Sequence, residues 1–175
     1  MNKKQKVDTV IALISIFIGV IVLLMPLFGM TNIKILSIGI FSSYAILSII
    51  QFILTRSSKD YEGIHSALAS IVILLAHIFW DPSSSPKVLA MFIMAWVILM
   101  AITKLKKADY YHDRKDRMWK YSAFNLGLFI LTGIIASINL GYNVETQILV
   151  FGFFILINGI LELFEPVTKT LIAHK

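Results

Sequence analysis

Apolar residues fall into six long runs, at about positions 10–28, 35–54, 64–80, 88–103, 121–140 and 147–164, each bounded by charges or turn residues. A helix rises about 1.5 Å per residue and needs roughly 20 apolar residues to cross the hydrocarbon of a bilayer, so each run predicts a spanning helix. Short turns join the runs in pairs, which predicts hairpins at roughly 8–55, 62–105 and 119–166 within one membrane domain over residues 1–175. The third run is the least apolar. His65, Ser66, Ser70 and His77 interrupt it, and Asp81-Pro82 stops it, because proline has no N–H and disfavours helix at the residue before it. Glu165-Pro166 is expected to end the sixth run. The predicted fold is all-α, a polytopic membrane protein with six transmembrane helices in three consecutive helical hairpins.

Composition agrees. The chain is 58% hydrophobic and 15% charged, where a soluble domain carries about 25% charged residues, so a soluble globule and a disordered chain are excluded. There is no cysteine, which removes disulfides, thiolate metal sites and cysteine nucleophiles. Met1 and the lysines at 3, 4 and 6 precede the first run as in a signal peptide, but the run is long and no small-x-small cleavage pattern follows, so an uncleaved first helix is expected. Sixteen Lys and Arg against ten Asp and Glu give a net charge of +6. Fourteen of the bases fall on one side: Lys3, Lys4 and Lys6; Arg56 and Lys59; Lys104, Lys106, Lys107, Arg114, Lys115, Arg117 and Lys120; Lys169 and Lys175. Only Lys34 and Lys87 fall on the other. The positive-inside rule therefore places both termini in the cytoplasm.

Small residues recur along the chain. Gly19, Ala76 and Gly133 are spaced by 57, and Gly39, Ala95 and Gly152 by 56 and 57. Pro26 and Pro82 stand 56 apart, as do Ala45 and Ala101, with Asn158 another 57 on. Lipid gives helices no hydrophobic reward for associating, so small side chains that let backbones approach are the expected contacts. The helix-packing candidates are Gly19, Gly39, Ala76, Ala95, Gly133, Gly152 and Gly159. The stretches 19–53 and 133–164, through Gly19, Pro26, Gly39, Gly133, Gly152 and the Gly159-Ile160 pair, resemble the hairpin repeat of the HdeD-like family of bacterial acid-resistance membrane proteins. The middle hairpin, with Trp80-Asp81-Pro82, departs most from that pattern. The resemblance implies six spans, inner termini and a non-enzymatic role in acid stress, with no catalytic residue to carry over.

Ionisable or polar groups inside a membrane segment are functional candidates by default. Glu162 and Asn158 are four apart and share a helical face, and Gln51 and Asn125 lie at a similar inner depth, so these four are candidates for a polar pocket. His77 near the outer end of the third span, with Asp81 four residues on, is a candidate acid sensor, since a nearby carboxylate favours the imidazolium. The stretch 104–120 is expected as a loop on the inner leaflet, its Lys104, Lys106, Lys107, Arg114, Lys115, Arg117 and Lys120 meeting anionic lipid headgroups, with Tyr110, Tyr111 and Trp119 at headgroup depth. Seventeen residues between two spans are too few for a nucleic-acid module. No phosphate loop, zinc signature or nucleophile elbow is present, and neither cofactor nor metal is expected. The alternatives to the acid-stress reading are a small transporter or channel for protons or a small solute, and a structural assembly module whose small-residue faces form a homo-oligomer.

Overall fold

A computed structural model describes residues 3–56, 61–138 and 143–173, the side chains of 171–173 excepted. Lys59, Leu140 and Lys175 lie outside the described residues. The described residues form six α-helices, α1 (Lys3–Leu24), α2 (Ile33–Thr55), α3 (Glu62–Phe79), α4 (Pro86–Asp113), α5 (Met118–Ser137) and α6 (Val144–Ala173). All six are long and apolar enough to cross a membrane, and the chain is a multi-pass membrane protein on that ground.

Local chemistry sets the turns. After α1 a single 3₁₀ turn, Met25–Phe28, carries Pro26 in its first turn and ends at Gly29, whose φ of 69° is the left-handed conformation glycine adopts without strain. The Asn32 side chain then caps α2 by accepting from the Ile35 N–H at 3.1 Å. At the same end, Trp80 is extended after α3, and Ser85 caps α4 just ahead of Pro86.

Two boundaries differ from the sequence reading. The stretch 104–120 is not a leaflet loop: α4 continues to Asp113, leaving a turn at 114–117 in which Lys115 takes a φ of 53° and Asp116 Oδ1 accepts from the Met118 N–H. The segment contains no glycine or proline, and Lys104, Ala108 and Tyr111 are buried on one face, so packing extends the helix through the charges. Likewise α6 runs through Pro166. Proline there forfeits only the bond to the Glu162 carbonyl, and packing of the last turns outweighs that loss.

The helices close into a ring in which each packs on its chain neighbours and α6 returns to α1. Packing is heaviest at α1–α6, α2–α3 and α4–α5, and lighter at α1–α2, α3–α4 and α5–α6. Close approach at the heavy seams depends on glycine. A Cβ at Gly19 would stand 2.6 Å from the Leu156 backbone nitrogen, one at Gly159 2.7 Å from that of Ile16, one at Gly63 2.7 Å from the Ser48 carbonyl, and one at Gly133 2.5 Å from the Val97 side chain. Gly152 packs on Leu23. Ala76 and Ala95 are half-buried against the core. Gly39 departs from its expected role: nothing lies within 4 Å of a Cβ placed there, and it faces an open apolar groove between α1 and α2.

The centre of the ring is an aromatic slab. Trp96, Phe41, Phe129, Phe151 and Phe154 are fully buried, and Trp96 meets Phe41, Tyr44, Phe129 and Phe154 edge-on with centroids 5.0–6.1 Å apart. The outer surface is apolar instead, with Phe17, Phe28, Ile53, Met91 and Phe124 exposed to the bilayer.

Candidate functional site

Polar side chains collect at the end of the ring that carries both termini. Gln51, Asn125 and Glu162 line one small chamber of about 50 Å3 there, together with Asp8 and Ser15 of α1, Tyr44 and Ser48 of α2, Glu62 and Ser66 of α3, Lys104 and Lys107 of α4, and Glu165 of α6. Asn158 lies one turn below Glu162, fully buried, and its amide donates to the Tyr44 hydroxyl and to Glu162 Oε1, each at 3.1 Å. The four residues read from sequence as a pocket are thus brought together. Gln51 donates to Asp8 Oδ1 at 2.9 Å, joining α2 to α1, and Asn125 donates to the Leu161 carbonyl at 2.7 Å, joining α5 to α6.

The rim of the chamber is an ion network. Lys107 pairs with Glu62 at 2.7 Å and with Glu165; Glu165 in turn takes a bond from the Tyr111 hydroxyl at 2.6 Å and from Lys169 at 2.9 Å, while Lys169 also donates to Tyr111. The Lys107 ammonium and two carboxylates, Glu62 and Glu165, therefore tie α3, α4 and α6 together. Lys104 enters the chamber itself, 3.7 Å from Glu162 and 4.9 Å from the Phe129 ring centroid, with only 9% of its side chain exposed. These placements correct the expectation that Lys104 and Lys107 meet lipid headgroups: both turn inward, because each finds a carboxylate there that the hydrocarbon cannot supply. Lys106, Arg114, Lys115, Arg117 and Lys120 are exposed.

Among the described residues, the buried oxygens Ser15 Oγ, Asn125 Oδ1 and Asn158 Oδ1 have no hydrogen-bond partner. A chamber of about 50 Å3, set against the roughly 10–15 Å3 that one water needs, admits a few waters or one small polar molecule beside Ser15 and Asn125, which line it. Chemically it can hold protons on four carboxylates, Asp8, Glu62, Glu162 and Glu165, balanced against two lysines. Among the described residues no three His, Asp or Glu side chains come together as metal ligands.

The opposite end is built differently. His77 Nδ1 donates to the Ile73 carbonyl at 2.8 Å, so its Nε2 accepts from the Ser37 hydroxyl at 2.9 Å, and the ring packs on Phe92 and Phe41. Asp81 does not face His77. The helix ends at Phe79, and Asp81 instead accepts from the Ser83 hydroxyl at 2.7 Å, from the Ser83 N–H at 2.9 Å and from Lys34 at 3.2 Å. Those bonds, the Ser83 pair first and then Lys34, hold its carboxyl down at about 2.

Asp8, Glu62, Tyr44 and Glu165 were not singled out in the sequence. Asp8 and Glu62 each stand two residues outside an apolar run, where a charge reads as a flank, and Glu165 precedes a proline expected to end the run. Comparison with family models, with curated proteins and with solved structures gives no match for this chain.

Proposed function

We propose that this chain is a non-enzymatic bacterial inner-membrane protein of the HdeD-like kind, both termini in the cytoplasm, serving resistance to acid stress through the inner chamber and its ion network. The observation that carries the reading is Glu165, whose side chain is 13% exposed and is shared by Lys107, Lys169 and Tyr111. A tie of this kind requires ionised carboxylates. With two lysines and the Tyr111 hydroxyl on one carboxylate, the tie joins the inner ends of α3, α4 and α6 and keeps them joined as cytoplasmic pH falls. The collection of bases at the end carrying the termini supports the orientation. Alternation of heavy and light seams around the ring, with Gly19 and Gly133 at heavy ones, supports a pseudo-threefold repeat of hairpins.

The test uses Glu165→Gln, which mimics the protonated carboxyl. Hydrogen-exchange protection of α6 in purified protein, corrected for the intrinsic pH dependence, should persist on acidification in the wild type and already be lost at neutral pH in the variant; cells carrying E165Q should survive acid less well. Equal exchange in both proteins at every pH would overturn the reading. A second reading, a transporter or channel for protons or a small solute, draws on the Asn158–Tyr44 bond, which carries polar groups inward to the ring of Trp96, 5.0 Å from that of Tyr44. Beyond it the aromatic slab interrupts any polar route. Proton or solute flux into liposomes across a pH step would favour this second reading.

A further inference from the structure

The light seam between α3 and α4 opens into a second hollow of about 500 Å3 at the end carrying the termini, lined by Tyr61, His65, Lys106, Tyr110 and Arg114 and backed by the Glu62–Lys107 pair of the chamber rim. Its free charge is basic. Lys107 is committed to Glu62 and Glu165, but Lys106 and Arg114 have no carboxylate partner among the described residues. Arg114 is nonetheless positioned, its guanidinium 4.2 Å from the centroid of the Tyr110 ring. His65 Nδ1 is taken by the Tyr61 carbonyl at 2.8 Å, which fixes the ring and leaves Nε2 uncommitted.

Depth and surroundings identify the occupant. The 28 residues of α4, at about 1.5 Å each, exceed a hydrocarbon core of about 30 Å, so its last turns from Lys106 onward stand among headgroups. On α4 and its C-cap Arg114, Ile102, Lys106, Tyr110 and Arg114 follow one another at intervals of four, a single outward stripe that is apolar toward the bilayer centre and basic at its end. On α3 the parallel stripe runs from Tyr61 and His65 to exposed Leu68 and Val72. A phosphate in the hollow with acyl chains along Ile102, Leu68 and Val72 matches both stripes, whereas free phosphate would use only the basic part. We propose that this hollow is a binding site for the phosphodiester headgroup of an anionic phospholipid. Because Glu62 and Lys107 form its back wall, a bound headgroup adjoins the chamber rim directly. The proposal does not depend on the acid-stress reading, since its readout is lipid affinity at neutral pH.

The experiment titrates purified full-length protein in detergent with dioleoyl phosphatidylglycerol, with dioleoyl phosphatidylcholine, and with sodium phosphate, and follows the unfolding temperature. Phosphatidylglycerol should raise it saturably, and the other two should not. Lys106→Gln with Arg114→Gln should raise the half-saturating concentration at least tenfold, while Arg117→Gln with Lys120→Gln, which removes the same charge elsewhere at that end, should leave it within about twofold. All four side chains are exposed, and Arg114→Gln alone serves if the first pair does not purify. Equal shifts with phosphatidylcholine, an unchanged titration in K106Q/R114Q, or a shift of the same size with sodium phosphate, which would make this a free-phosphate site, each overturn the proposal.

Discussion

At the end carrying the termini, carboxylates and lysines meet across helices inside the ring, with Glu62, Lys107 and Glu165 each less than one-fifth exposed. At the other end the one cross-helix ion pair among the described residues, Lys34–Asp81, is more than two-fifths exposed on both sides. Water screens the second pair and leaves it little to contribute. The first has been taken out of water, so each partner depends on the other, and losing one leaves a charge with nowhere to go. The same chemistry is thus a buried cross-helix tie at one end and a surface decoration at the other, and burial makes the difference.

The largest expected effect follows from removing one partner inside. Glu165→Gln leaves Lys107 and Lys169 short of a carboxylate and should lower stability by about 3 kcal/mol, measured by denaturing-detergent titration of purified protein; a cost as small as that of Asp81→Asn would erase the contrast between the ends. Next comes the seam that spans both. Gly19→Ala drives a methyl group into the Leu156 backbone and should cost about 1–3 kcal/mol by overpacking, whereas Gly39→Ala meets nothing and should be neutral or gain up to about 1 kcal/mol from helix propensity. If the two substitutions behave alike in the same titration, α1 is not held by α6 as described.

His77→Phe keeps the ring packing but gives up the Ser37 bond, which should cost about 1 kcal/mol. It should leave the acid dependence of unfolding in place. Disappearance of that dependence in H77F would place it at the outer end. Smallest is Asp81→Asn. The native carboxyl sits at about 2, below the ordinary 3.8, so any stability it adds is complete above the ordinary value and lost only as pH falls toward 2. The difference between D81N and wild type should therefore stay constant from about pH 4 to about pH 8, read from unfolding temperature.

Much of this architecture was legible because lipid imposes a simple rule on helix length and hydropathy, and six runs obeyed it. Gln51, Asn125, Asn158 and Glu162 could be grouped for the same reason: a polar residue in such a run stands out. The rim could not, because Lys104, Lys107 and Glu165 lie where span and flank overlap, and there charge alone reads as solvent. The spacing of 104, 108 and 111, which continues the helical period of α4 with no glycine or proline in the way, was the signal that these residues remain inside. Gly39 erred in the opposite direction. Its register matched that of Gly152, but a register does not say whether a partner helix is present on that side.

Trp96 has a use of its own. Its indole is fully buried, donates to Ser70 Oγ at 3.2 Å, and touches residues of α2, α5 and α6, while the remaining tryptophans, Trp80 and Trp119, are 60% and 37% exposed. Replacing those two by phenylalanine leaves a single tryptophan, which can be excited apart from the tyrosines, at the hub of the molecule. Its emission colour would register any slackening of the assembly from within, without a label.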